Sequence, residues 1–159
     1  MNIIKIYPDA YIINSKRGEI SIICHGFQGF LLIDRKILNP PRFYQYLSRW
    51  MPVKDISSVR LIACESANSA PSQSYWNIGG QSFGETLSLI MKNVVVECYL
   101  DGVVSECSPE LLWPVYQTLG SRGTEEIIQQ IFTDGVFTDP HNQPVMYVNG
   151  RQLNISICP

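Results

Sequence analysis

Apolar residues along the chain fall into short runs of strand length, separated by stretches where they recur every three or four positions. Asn2 to Tyr7 and Tyr11 to Asn14 are rich in β-branched and aromatic residues, with Pro8-Asp9 marking a turn between them. Glu19 to Cys24 (E-I-S-I-I-C) has the composition of a strand buried on both faces, and its apolar run stops at His25-Gly26. Phe30 to Asp34 is expected to return from a tight loop over Gly26 to Gly29. Pro40-Pro41 opens a helix predicted for Pro41 to Trp50, because the missing N–H of proline is harmless in a first turn. Phe43, Tyr46, Leu47 and Trp50 share one face of that helix.

Val59 to Ala63 (V-R-L-I-A) is a second buried strand and ends at Cys64. A polar, serine-rich loop, Glu65 to Asn77, follows it. Gly79-Gly80 precedes an amphipathic helix over about Ser82 to Lys92, with Phe83, Leu87, Ile90 and Met91 at core spacing. Val94 to Leu100 is a third buried strand, ending at Asp101-Gly102. Glu110 to Leu119 and Thr124 to Phe132 are further helices, the second with Thr124 as its cap. Val145 to Val148, Asn149-Gly150 and Gln152 to Cys158 form a C-terminal β-hairpin on an N-G turn.

Strand, helix, strand, helix, strand is the order of a mostly parallel central sheet with helices on both faces. The expectation is therefore an α/β three-layer sandwich, residues 1–159 forming one domain, with the hairpin appended. Function in such sheets gathers at the carboxyl ends of the strands. Three pairs stand there: His25-Gly26, Cys64-Glu65 and Asp101-Gly102.

Composition narrows the functional classes. Of 159 residues, 45% are hydrophobic and 16% charged, a globular balance rather than a disordered one. The net charge is -2 and no basic run exceeds Lys16-Arg17 and Arg35-Lys36, so no footprint for nucleic acid or an anionic membrane is expected. The five cysteines, Cys24, Cys64, Cys98, Cys107 and Cys158, are odd in number and lack both disulfide-framework and zinc spacing. A reducing, cytoplasmic environment follows, with no metal or organic cofactor. No apolar stretch reaches the roughly 20 residues of a membrane span. The first residues do not have the layout of a signal peptide, so export would need a leaderless route or a larger parent chain.

The strand ends carry the chemistry. A thiol with a pKa of about 8.5 is a weak nucleophile until a base draws off its proton, and imidazole is the usual base near neutrality. Only two histidines exist, and His25 directly precedes a glycine. Without a side chain, Gly26 allows its amide to approach a reacting carbonyl, and with the Cys64 N–H it can form an oxyanion hole. Cys24 is a rival nucleophile by position, but strand alternation turns it away from His25 and into the core.

Ile20 to Gly26 (I-S-I-I-C-H-G) and Val59 to Ala67 (V-R-L-I-A-C-E-S-A) resemble the two signature strands of clan CD, the caspase-like cysteine peptidases. The likeness is to bacterial members, including toxin autoprocessing domains and effector caspase-like domains. It covers roughly Ile20 to Gly102, and the Q-A-C-x-G context of animal caspases is absent. The resemblance implies a caspase-like fold and a cysteine endopeptidase acting on a peptide or protein substrate. Cys64 would be the nucleophile and His25 the general base, in a bacterial effector or toxin component.

Other residues are weighed beside them. Asp101 could line the substrate pocket and favour a basic residue before the scissile bond, although the preferred reading is a turn aspartate before Gly102. Trp76, in the loop after Cys64, is a candidate groove residue, and Glu65 adjoins the nucleophile, where an inward carboxylate would oppose the thiolate. A non-catalytic interaction module is the second reading. Gly80-Gln81-Ser82-Phe83-Gly84 matches G-x-S-x-G and gives a third, a serine hydrolase with Ser82, Asp134 or Asp139, and His141. The plainer role for Ser82 is a helix N-cap.

Overall fold

The computed structural model describes residues 1–69, 80–100, 102, 108–133 and 144–153. Among these, strands β1 (Asn2–Tyr7), β2 (Ala10–Lys16) and β3 (Glu19–Phe27) are followed by β4 (Phe30–Ile33) and β5 (Lys36–Leu38). Helix α1 (Pro40–Trp50) leads to β6 (Ser58–Ile62), α2 (Phe83–Ile90) and β7 (Val95–Tyr99). The long α3 (Pro109–Thr133) and the strands β8 (Pro144–Val148) and β9 (Arg151–Gln152) complete the order.

All described strands join one mixed sheet in the order β1-β2-β3-β6-β7-β8-β9, with β4 and β5 branching from β3. Only β3–β6 and β6–β7 are parallel. Every other described pairing is antiparallel. This corrects the expected mostly parallel, three-layer caspase-like sandwich. The parallel unit is a short centre. The N-terminal hairpin extends it on one side, and β8 with β9 on the other. Both crossovers return on the same side, so α1 and α2 pack together, with Phe43 and Phe83 edge to face at 5.5 Å.

Strand alternation assigns the core. Ile20, Ile22, Cys24, Leu61, Ala63, Val96 and Cys98 face α1 and α2 and are buried with Phe43, Leu47, Phe83 and Leu87. The intervening Ile23, Ile62 and Tyr99 face the other way, against Leu112 and Ile128 of α3. Farther along that face Arg60 bonds Glu97 at 2.5 Å and stands 3.9 Å from Glu19. The buried centre of β3 and β6 thus matches their continuous apolar runs.

Local chemistry sets the element ends. Asn39 caps α1 by accepting the Arg42 N–H at 3.0 Å, ahead of two prolines. Ser82 caps α2 in the same way through the Glu85 N–H at 3.1 Å, and it is 3% exposed. The N-G turn is as the sequence predicts: Asn149 and Gly150 have φ of 51° and 78°. Its tip is tied to α2, where Ser88 accepts the Gly150 N–H at 2.9 Å. Residues 154–158 of the expected hairpin lie outside the described residues. The two expected C-terminal helices are the two parts of α3, which meet at a kink at Gly120, where φ of 72° and ψ of -172° leave the helical path. Thr124 does not cap; it is buried and donates to the Gly120 carbonyl at 2.7 Å.

Gly84 is where α2 meets β7. A methyl group there would lie 2.9 Å from Cys98 Cβ and press on its sulfur, inside a closed core. Gly84→Ala is expected to destabilise the fold by about 2 kcal/mol. Adding Cys98→Ala should restore part of that loss in urea unfolding, since it removes the opposing sulfur.

Candidate active site

The two strand ends singled out in the sequence meet at one rim. In the parallel ladder Ile22 pairs with Leu61 and Ile23 with Ile62, where β6 ends, so the chain leads on to His25 and to Cys64 from the same edge of the ladder. Gly26 makes the contact close. A methyl built on it would overlap the Cys64 carbonyl oxygen and stand 3.1 Å from Ala63 Cβ. The glycine is required here by strand packing, a reason independent of any oxyanion.

His25 does not end its strand. β3 continues through Phe27 and turns back into β4, pairing His25 with Leu32 and Gly26 with Leu31. The expected Gly26 to Gly29 loop is therefore a tighter turn at Gln28-Gly29. The apolar run stops at His25 because the strand changes partners there. It leaves β2 and β6, where both faces are buried, for a hairpin open to solvent.

The imidazole lies on the α3 side of the sheet and is half exposed. Its Nε2 is hydrogen-bonded to Oε1 of Glu110, in the first turn of α3. Cys64 follows β6 in the turn beside it, after Ala63, which is buried against α1 and α2. Cys64 itself is only partly buried.

The other described cysteines have different surroundings. Cys24 is buried under α1 and α2, and desolvation pushes its thiol far up, with the charges of Asp9 and Cys64 adding to the effect. Burial does the same to Cys98, reinforced by Glu97 and Glu85, and its sulfur donates to the Val145 carbonyl at 3.4 Å. Both act as small core residues, in keeping with the reading of Cys24 as inward-facing.

The turn after Cys64 is held from three sides. Glu65 takes a left-handed conformation, φ 59°, and its carbonyl accepts the Asn68 N–H at 3.1 Å. Ser66 is fully buried: its hydroxyl donates to Leu61 O at 3.3 Å and accepts the Tyr99 N–H at 2.9 Å. The Ser66 carbonyl accepts the Gly84 N–H at 2.9 Å, and Ala67 N–H donates to Tyr99 O at 2.8 Å. One serine thus joins β6, β7 and the start of α2 directly behind Cys64.

Of the residues expected to form the site, His25, Gly26, Cys64 and Glu65 are together. Asp101 and Trp76 lie outside the described residues, as do Asp134, Asp139 and His141 of the serine-hydrolase reading. The Ser82 oxygen is engaged as the cap of α2. Two contributors carry little sequence signal: Glu110 looks like any acid in a helical first turn, and Ser66 like any serine in a polar loop. Among the described residues no group of three or more His, Cys, Asp or Glu is placed to hold a metal ion. No described helix is long and apolar enough to cross a membrane. Compared with protein-family models, with curated proteins and with solved structures, the chain matches none of them.

Proposed function

We propose that the chain is a cysteine endopeptidase in which Cys64 is the nucleophile and His25 the general base. The observation that carries this reading is the register of β3 and β6, with Gly26 packed against the Cys64 carbonyl. It brings a partly buried thiol and a half-exposed imidazole to one rim of the sheet. The likeness of Ile20 to Gly26 and Val59 to Ala67 to the strand ends of clan CD peptidases supports the same assignment, although the surrounding sheet is not theirs.

In the reaction, the Cys64 thiol loses its proton to His25 and its sulfur adds to the scissile carbonyl. The N–H groups of Gly26 and Cys64 are the oxyanion donors of this reading. Collapse expels the amine, which takes the proton from His25, and leaves a thioester on Cys64. Water, deprotonated by His25, then hydrolyses the thioester to the new carboxyl terminus and restores the thiol. The chemistry requires a reduced sulfur, so a reducing compartment such as cytoplasm is part of the proposal.

The test combines mass-mapped labelling by iodoacetamide with cleavage of a peptide library. Cys64 is expected to label faster than Cys24 and Cys98. Cys64→Ala should abolish cleavage, and His25→Ala should reduce it by at least about a hundredfold, within the usual reach of general-base catalysis. Unchanged cleavage in Cys64→Ala, or Cys64 labelling no faster than the core cysteines, would remove the nucleophile from the mechanism.

A further inference from the structure

We infer that Glu110 is a positioning residue that fixes the tautomer and orientation of His25; this rests on the reading of His25 as the general base. A neutral imidazole has one N–H and one bare nitrogen, and the partner of one decides the role of the other. A carboxylate can only accept. With Nε2 against Glu110 Oε1, Nε2 carries the hydrogen and Nδ1 holds the lone pair. In the neutral ring Nδ1 is then the nitrogen left to take up a proton. In the proposed mechanism that nitrogen is the base for the Cys64 thiol.

The carboxylate is supplied by a well-anchored element. Glu110 stands 85 residues from His25 in sequence. It is followed two residues later by Leu112, 1% exposed and packed with Ile62 and Tyr99. The N–H groups of Leu111 and Leu112 both donate to the Ser108 carbonyl at 3.1 Å, closing the first turn of α3. β3 fixes the imidazole's backbone, and α3 fixes its far nitrogen. Since the two side chains are 48% and 51% exposed, the pair adds little to folding, as exposed ion pairs generally do. Its effect is on the ring.

Two readouts test this on the intact chain. In protein labelled with 15N-histidine, long-range proton–nitrogen correlation reports the tautomer of His25, with His141→Gln used to assign the two rings. The wild type is expected to show the Nε2–H form and Glu110→Ala a mixture. The rate of Cys64 alkylation should fall about tenfold in Glu110→Ala, and its pH profile should shift, as for loss of an oriented base. Glu110→Gln keeps an acceptor oxygen at the same reach and should recover part of the rate. Glu126→Ala, on an exposed part of α3, should change neither readout. If His25→Ala slows Cys64 while Glu110→Ala preserves both tautomer and rate, the inference fails and the dyad stands. If His25→Ala leaves Cys64 unaffected, dyad and inference fall together.

Discussion

Gly26→Ala is expected to destabilise the protein by about 3 kcal/mol or more, the upper range for overpacking a closed core. For a chain of this length that corresponds to a fall in Tm of roughly 10 °C. The added methyl meets the Cys64 carbonyl and the Ala63 Cβ, and neither is the far end of a flexible side chain. Relief requires β3 and β6 to separate at the rim where His25 and Cys64 stand. Urea unfolding and Cys64 alkylation should therefore change together. Gly102→Ala is the matched control, because a methyl there meets nothing within 4 Å, and its unfolding midpoint should stay near that of the wild type. A Gly26→Ala protein with a wild-type midpoint would show that the strands are not in close approach, and the juxtaposition of thiol and imidazole would lose its support.

The second large effect is expected at Ser66. Replacing it with alanine takes the acceptor from the Tyr99 N–H and the donor from the Leu61 carbonyl, in a place closed to water. A buried donor left without a partner costs about 1–3 kcal/mol, and a loss near 2 kcal/mol is expected here. The change should also be local: amide exchange at Tyr99 should accelerate beyond what the global loss explains, and Cys64 alkylation should become less uniform as its turn loosens. Equal exchange rates in wild type and Ser66→Ala would mean that another group satisfies this amide.

Much of the architecture is legible along the chain. Glu19 to Cys24 and Val59 to Ala63 read as buried strands because nearly every position in them is apolar, and both faces of the sheet there are covered. Cys24 reads as a core residue by alternation alone. Ser82 before an apolar helix and Asn149-Gly150 between two strands are local signals, since a cap and a two-residue turn depend only on neighbours in sequence. The direction and order of strand pairing are different in kind. β1 with β2, and β8 on β7, look from their side chains like strands of any sheet. Their antiparallel partners are chosen by packing across the molecule, so the sheet is mixed where strand order alone suggests a mostly parallel sandwich.

The site divides the same way. His25-Gly26 and Cys64 stand out because each follows a long apolar run, but the run breaks at His25 only where β3 changes partners and continues into β4. Glu110 reaches His25 from a helix far along the chain, and no spacing rule announces it. Ser66 acquires its role once β7 arrives to present the Tyr99 amide.

The amino-acid order alone does not mark β5 (Lys36–Leu38) or the run of β3 through Phe27, but it marks most of the strands and helices, the inward turn of Cys24, and the thiol and imidazole that are candidates for chemistry. These depend on periodicity and near-neighbour hydrogen bonds, interactions that act within a few residues. The mixed sheet, the packing of Gly26 on Cys64 and the Glu110 contact with His25 arise in the folded molecule alone. Each is a meeting of atoms distant in sequence, selected by steric fit and buried hydrogen bonding in the whole fold.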